Sequence, residues 1–256
     1  MTLFDAVILG IVEGVTEFLP VSSTAHLVLS SQLLGVQQDR FATAFEIIIQ
    51  IAPIFSVMLI YRERLLQSMQ LWLKLILAFI PTGFVGLFFH KQIEALFAAN
   101  STVALMILTG VAFLAIEYFY REKEHAVTSL ENVSFLQAFY VGLFQVLALV
   151  PGISRSGTTI LGGMLMGLQR ETAMGFSFLL AIPTMSAASG YVMFKEYGAL
   201  SFEHMELLLA GFGVSFIVGW IAVKAFLAIV SRYSFTPFGF YLIASGLLFG
   251  LFGIDL

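Results

Sequence analysis

The sequence predicts an all-α, polytopic membrane protein, built as an inverted-topology repeat with about six full spans and two re-entrant helical hairpins. Three observations carry that expectation. First, 59% of the 256 residues are hydrophobic and 11% are charged, with a mean hydropathy of +0.97; soluble domains carry about 25% charged residues. Second, the chain shows one order of apolar segments twice: two short, then three long. Third, three full spans per half is an odd number, so the halves must run in opposite senses, and loop charge agrees with such an inversion.

The elements follow in order. Residues 3–19 are apolar with helical period but carry Glu13 and Glu17 and stop at Pro20. A helix of ~17 residues reaches about 25 Å, short of a hydrocarbon core of about 30 Å. Residues 22–35 form a second short segment, opening on Ser22 and Ser23 as helix caps and ending near Gly35. The pair reads as a re-entrant helix–turn–helix, which is tolerated at membrane depth where protein buries it or water reaches it. Full spans are expected at 42–61, 71–89 and 101–119. The polar run from Arg121 to Ser134 is the expected linker, dividing half-repeats of about 1–120 and 135–256 within a single membrane domain.

The second half opens with short segments at 135–150, stopped by Pro151-Gly152, and 154–168; spans are expected near 172–193, 206–230 and 236–253. An offset of 132 aligns Gly10 with Gly142, Glu13 with Gln145, Ser22 with Ser154 and Thr24 with Ser156. If the loop after residue 61 is cytoplasmic, Arg62, Arg64, Lys74, Arg121, Lys123, Arg170, Lys224 and Arg232 fall on or near that side, against Arg40, Lys91 and Lys195 outside. Both termini are then expected outside the cytoplasm. No cleavable signal peptide is expected, because a basic leader is lacking and Glu13 and Glu17 interrupt the apolar stretch.

A net charge of -4 argues against nucleic acid as a partner, and the absence of cysteine excludes disulfides and thiolate chemistry. The chemistry concentrates in two stretches. The first runs from Glu13 to His26 and holds Glu17, Ser22, Ser23 and Thr24. Glu13 and Glu17, spaced i, i+4, share a helix face. Like charges that close need a cation between them or a proton on one of them; Mg²⁺ or Ca²⁺ suits hard oxygen ligands. On a surface helix such a pair is merely solvated, but within an apolar segment it marks function. His26 can move protons or act as a nucleophile. Serines after a proline also cap helices, and a free helix N-terminus binds anions.

The second stretch, Gln145 to Thr159, centres on Arg155, flanked by Ser154 and Ser156 and followed by Gly157, Thr158 and Thr159. A guanidinium in apolar surroundings needs an anion and grips phosphate with two parallel hydrogen bonds. An oxyanion cradle is one reading; an ion pair with Glu13 or Glu17 is the other, and it too brings the two stretches together. Glu46 and Gln50, with Gln145, form a candidate supporting shell. Glu117 is expected to snorkel or pair. His90, His125 and His204 are assigned no role. The 27 phenylalanines suit lipid contact or a groove for an apolar tail.

The stretch Glu13-Gly-Val-Thr-Glu-Phe-Leu-Pro-Val-Ser-Ser-Thr-Ala-His26 resembles the first signature of the bacterial undecaprenyl-diphosphate phosphatase family associated with bacitracin resistance. Pro151-Gly-Ile-Ser-Arg-Ser-Gly-Thr-Thr159 resembles its second, and the likeness runs over essentially the whole chain. Ala25 stands where the family usually has glycine, and Leu242, after Tyr241, where an arginine is common. The resemblance implies removal of the terminal phosphate from a long-chain isoprenyl diphosphate in the bacterial inner membrane, with a divalent cation and an active site open to the periplasmic or outer face. It implies that Glu13 and Glu17 hold the metal or activate a nucleophile, that Ser23 or His26 is the nucleophile or proton donor, and that Arg155 with its neighbouring hydroxyls binds diphosphate. A homodimer is left open. The rival expectation is an ion-coupled transporter or flippase for the polyprenyl phosphate, since inverted repeats with buried carboxylates also describe carriers. A structural scaffold would give the buried ionisable groups no purpose.

Overall fold

The computed structural model describes residues 1–89, 92–93, 102–120, 126–150, 152–195, 204–230 and 234–251. His90, Lys91, Arg121, Lys123, His125, Pro151 and Arg232 lie outside the described residues. Helix α1 (Leu3–Thr16) starts at a reciprocal cap: Thr2 Oγ1 accepts from Asp5 N at 3.2 Å and Asp5 Oδ2 accepts from Thr2 N at 2.6 Å. After a turn comes α2 (Ser23–Leu33). Then follow α3 (Arg40–Ile60), the short α4 (Arg62–Gln67), α5 (Met69–Phe88) and α6 (Thr102–Phe119). The second half has α7 (Phe135–Val146), which tightens into a 3₁₀ turn at Leu147–Leu149, then α8 (Arg155–Leu165), α9 (Arg170–Lys195), α10 (Met205–Val230) and α11 (Thr236–Leu251). Helix α7 opens on the same kind of cap, built by Ser134 and Gln137.

Helices α3, α5, α6, α9 and α10 are long and apolar enough to span a bilayer. The described part of the sixth expected span is α11, 16 residues. Helices α1 and α7 have 14 and 12 residues, about 20 Å, and end inside a 30 Å core. The multi-pass, all-helical architecture is therefore the one the composition dictates.

The packing partners exchange under the 132-residue offset. Helix α1 packs on α10 as α7 packs on α5; α10 packs on α3 as α5 packs on α9; α1 meets α2 as α7 meets α8; α3 pairs with α9 and α6 with α11. The aligned glycines explain the first exchange. A Cβ on Gly10 would lie 2.6 Å from the Gly211 carbonyl oxygen, and one on Gly142 would run into the Ala78 carbonyl. Small residues thus let the short helices press backbone to backbone against a long one.

Mid-helix prolines are accommodated by neighbours. Pro53 in α3 cannot donate to the Ile49 carbonyl, and the Ser215 hydroxyl of α10 donates to that carbonyl at 3.0 Å instead. A further stitch joins the halves. Arg170 at the start of α9 pairs with Glu117 of α6, whose Oε1 also accepts from Phe235 N at 2.9 Å, at the start of α11. The segment before α7 is anchored: Val127 N donates to Gly167 O and Gln169 N to Val127 O, both at 2.9 Å, and Leu130 and Val133 are buried.

Gly10→Val and Gly142→Val should each lower stability by about 2–3 kcal/mol through overpacking against backbone. Gly213→Ala, which meets open space in α10, should be neutral or gain up to about 1 kcal/mol of helix propensity. Thermal unfolding midpoints in detergent check all three.

Candidate functional site

Helix α1 ends at Thr16, so Glu17 is its C-cap, with its N–H still donating to Glu13 O at 3.0 Å. Both glutamates therefore project from the last turn, as their spacing requires. The chain then turns through Phe18–Val21 and enters α2 at Ser22, whose φ of 67° and ψ of 84° are left-handed and costly for a non-glycine residue. In the other half Ser154 is an ordinary cap: its hydroxyl accepts from Gly157 N at 3.1 Å.

The two hairpin ends meet. Arg155 Nη2 donates to Glu17 Oε1 at 2.6 Å, with side chains 13% and 3% exposed. Ser156 Oγ donates to the Leu19 carbonyl at 3.0 Å. Arg155 also lies over the Phe18 ring, 5.4 Å from its centroid, and its Nη1 donates to the Ser177 carbonyl at 3.4 Å. Ser23 Oγ donates to the other Glu17 oxygen, Oε2, at 2.7 Å. One carboxylate is thus held by a guanidinium from the far half and a hydroxyl from its own.

These groups line a cavity of about 190 Å³. Its polar wall comprises Glu17, Ser22, Ser23, Thr24, Gln50, Thr82, Gln145, Ser154, Arg155, Ser156 and Thr184; Leu19, Ala148, Leu149, Ile153, Met185 and Ala188 form the apolar side. Pockets for drug-sized ligands run about 300–1,000 Å³, so this space suits a headgroup and not a long chain.

Other site candidates sit elsewhere. Glu13 is fully buried and does not line this cavity, and neither of its carboxylate oxygens has a hydrogen-bond partner. Its counterpart Gln145 is equally buried but satisfied: Nε2 donates to Thr82 Oγ1 at 3.1 Å and Oε1 accepts from Thr184 Oγ1 at 3.2 Å. Thr158 and Thr159 turn their hydroxyls back to carbonyls of α8, and Thr159 also meets Ser177 Oγ at 2.6 Å, so neither reaches the cavity wall. That back-bonding is the usual fate of threonine inside a helix. His26 points to Tyr241, with Nε2 to hydroxyl 2.7 Å, and to the Ser22 carbonyl, 2.9 Å from Nδ1. Glu46 accepts from Ser31 and Gln38 on the α2–α3 side. His204 stacks on Phe41.

Thr82, Thr184 and Tyr241 were not singled out from the sequence. Thr82 and Thr184 each follow a mid-span proline, Pro81 and Pro183, where a hydroxyl in an apolar span has a polar partner to find. That was the available signal.

The orphaned Glu13 carboxylate beside Glu17 suits a cation with hard oxygen ligands. Among the described residues no group of three His, Cys, Asp or Glu side chains gathers into a full metal cage. An ion held there would take one or two carboxylates and complete its shell with other oxygen ligands.

Fold and cavity together define a multi-pass membrane protein with a polar cavity, lined by one guanidinium, between two helical hairpins. Residues 6–248 match the family described as Bacitracin resistance protein BacA, and the chain belongs to that family. It is 50% identical to the undecaprenyl-diphosphatase of Wolinella succinogenes over 256 residues, the whole of both chains. It is 48% identical over 252 residues to that of Persephonella marina, covering 98% of this chain and 99% of the other. The undecaprenyl-diphosphatase of Methanococcus aeolicus is 43% identical over 252 residues, with 98% and 99% covered.

Arg155→Met should cost about 3 kcal/mol, because it leaves the Glu17 carboxylate buried with one hydroxyl partner. Adding Glu17→Gln should restore about 2 kcal/mol of that loss, since the charge requiring a partner is gone. A double-mutant cycle on unfolding midpoints measures both.

Proposed function

We propose that the chain removes the terminal phosphate from undecaprenyl diphosphate, releasing undecaprenyl phosphate and inorganic phosphate and so recycling a cell-wall lipid carrier. The observation that carries this reading is the Arg155 guanidinium held beside Glu17 and the Ser22–Ser23 hydroxyls in one headgroup-sized cavity. Full-length relatives named undecaprenyl-diphosphatase agree with it. Guanidinium has five N–H donors. One is directed at Glu17 and one at the Ser177 carbonyl, which leaves others for phosphate oxygens.

Ser23 is the nucleophile in this reading. Its proton already points at Glu17 Oε2, the pairing that activates a hydroxyl. The Oγ–P bond forms as the anhydride P–O bond breaks; the hydroxyl proton passes to Glu17 and from there to the departing undecaprenyl phosphate. Water then attacks the phosphoserine, giving up a proton through Glu17, and inorganic phosphate leaves. Arg155 balances the charge that gathers on the transferring group. Glu13 and Glu17 would hold a divalent cation, Mg²⁺ or Ca²⁺, which when bound would neutralise phosphate oxygens. The apolar side, Ala148, Leu149, Ile153, Met185 and Ala188, suits the first isoprene units, with the rest of the tail in lipid. We place the protein in the bacterial inner membrane with the cavity open to the periplasmic or outer face; the excess of Arg and Lys in the opposite loops supports this.

Purified protein in detergent should release phosphate from undecaprenyl diphosphate, stop on chelation, and resume with Mg²⁺ or Ca²⁺. Arg155→Ala and Glu17→Gln should each lower kcat by about 10²-fold or more. A wild type that moves the lipid monophosphate but releases no phosphate would instead make the chain a carrier.

A further inference from the structure

His26 is embedded in a small socket that the reaction as described does not use. A carbonyl oxygen can only accept, so the 2.9 Å contact between His26 Nδ1 and the Ser22 carbonyl requires a proton on Nδ1. In the neutral ring Nε2 then carries the lone pair, and it accepts the Tyr241 hydroxyl at 2.7 Å. The imidazole also lies between two aromatic rings of α11. Its centroid is 5.6 Å from Tyr241 and 5.9 Å from Phe249. Those residues are eight apart, about 12 Å along a helix, so the ring fills the gap between them. Ser245, the buried small residue midway, leaves room for it.

The other end of this arrangement is the strained turn. Ser22 is the described non-glycine residue with positive φ, and no side-chain cap bond is made at the start of α2. Its carbonyl instead receives both His26 N, at 3.3 Å, and His26 Nδ1. The left-handed turn keeps the Ser22 hydroxyl off the cap and in the cavity wall, next to Ser23. Ser154 in the other half, with ordinary dihedrals, spends its hydroxyl on capping.

We infer that His26 is a positioning residue whose Nδ1–H holds the strained Ser22 turn, and that Tyr241 acts through it by holding Nε2 and so the orientation of the ring. His26 therefore does not attack phosphorus: it is outside the cavity lining, and its nucleophilic nitrogen is taken by a hydroxyl. Helix α11 thereby contributes to the site without lining it.

The kinetic arm of the test rests on the phosphatase reading; the spectroscopic arm does not. In protein with ¹⁵N-labelled histidine in detergent, the His26 signals, assigned by their loss in His26→Asn, should report the Nδ1–H tautomer alone. Tyr241→Phe should shift the Nε2 resonance as its hydroxyl partner is lost, and leave the Nδ1–H tautomer in place. The same variant should lower kcat about tenfold, the worth of one hydrogen bond, with KM little changed. Asn places an amide N–H where Nδ1 stood, so His26→Asn should stay within about tenfold of wild type. His26→Ala, with the turn released, should fall about 100-fold. Equal losses in Asn and Ala, acid-labile phosphate trapped on wild-type protein, or an Nε2–H tautomer in the wild type would each overturn the inference. A wild type with the Nδ1–H tautomer but no phosphatase activity would sink the proposed function and leave the socket standing.

Discussion

The Glu17–Arg155 contact is the interaction on which the rest of the structure depends. It joins side chains 138 positions apart, at 2.6 Å, across the meeting point of two hairpins. Taking either charge out of water alone is costly, and their mutual attraction repays it only with good geometry and further partners. Those are supplied: Ser23 on the second carboxylate oxygen, the Phe18 face under the guanidinium, and the Ser156–Leu19 bond alongside. The pair holds open a polar space that two apolar helix ends would otherwise close.

The fold delivers those ends by keeping four helices short and pressing three of them, α1, α7 and α8, against long ones. Gly10 and Gly142, aligned by the repeat, are the points of closest approach. The duplicated frame then diverged where chemistry required it. Gln145, counterpart of Glu13, is neutral and fully hydrogen-bonded, while Glu13 keeps a buried, unpartnered carboxylate. A second acid at Gln145 would add a third negative charge near one guanidinium. The acidic half and the basic half are thus complementary.

Much of this was legible in the sequence. Composition and segment length declare the membrane helices, and Pro20 and Gly152 mark the hairpins. The two signature stretches name Glu17, Ser22, Ser23, Ser154, Arg155 and Ser156, which the fold gathers around one cavity. What escaped was side-chain direction. Thr158 and Thr159 belong to the same stretch as Arg155, yet on a helix they face different ways, and their hydroxyls satisfy the backbone. Thr82 and Thr184 became neighbours of Gln145 only through packing of α5, α7 and α9. Tyr241 meets His26 across 215 positions, a contact no local pattern announces. The left-handed Ser22 was also hidden, since serine gives no sign of such a backbone in the way glycine does.

The stitches away from the cavity bear on how far the halves can move. Glu117 grips Arg170 and the Phe235 amide together, Val127 bridges to the turn between α8 and α9, and Ser215 fills the bond that Pro53 vacates. Swinging one half against the other, as a rocker-type pump must, would break the Glu117 and Ser215 bonds together. The body is built as a frame: lipid headgroups come and go at its seam while the seam stays put.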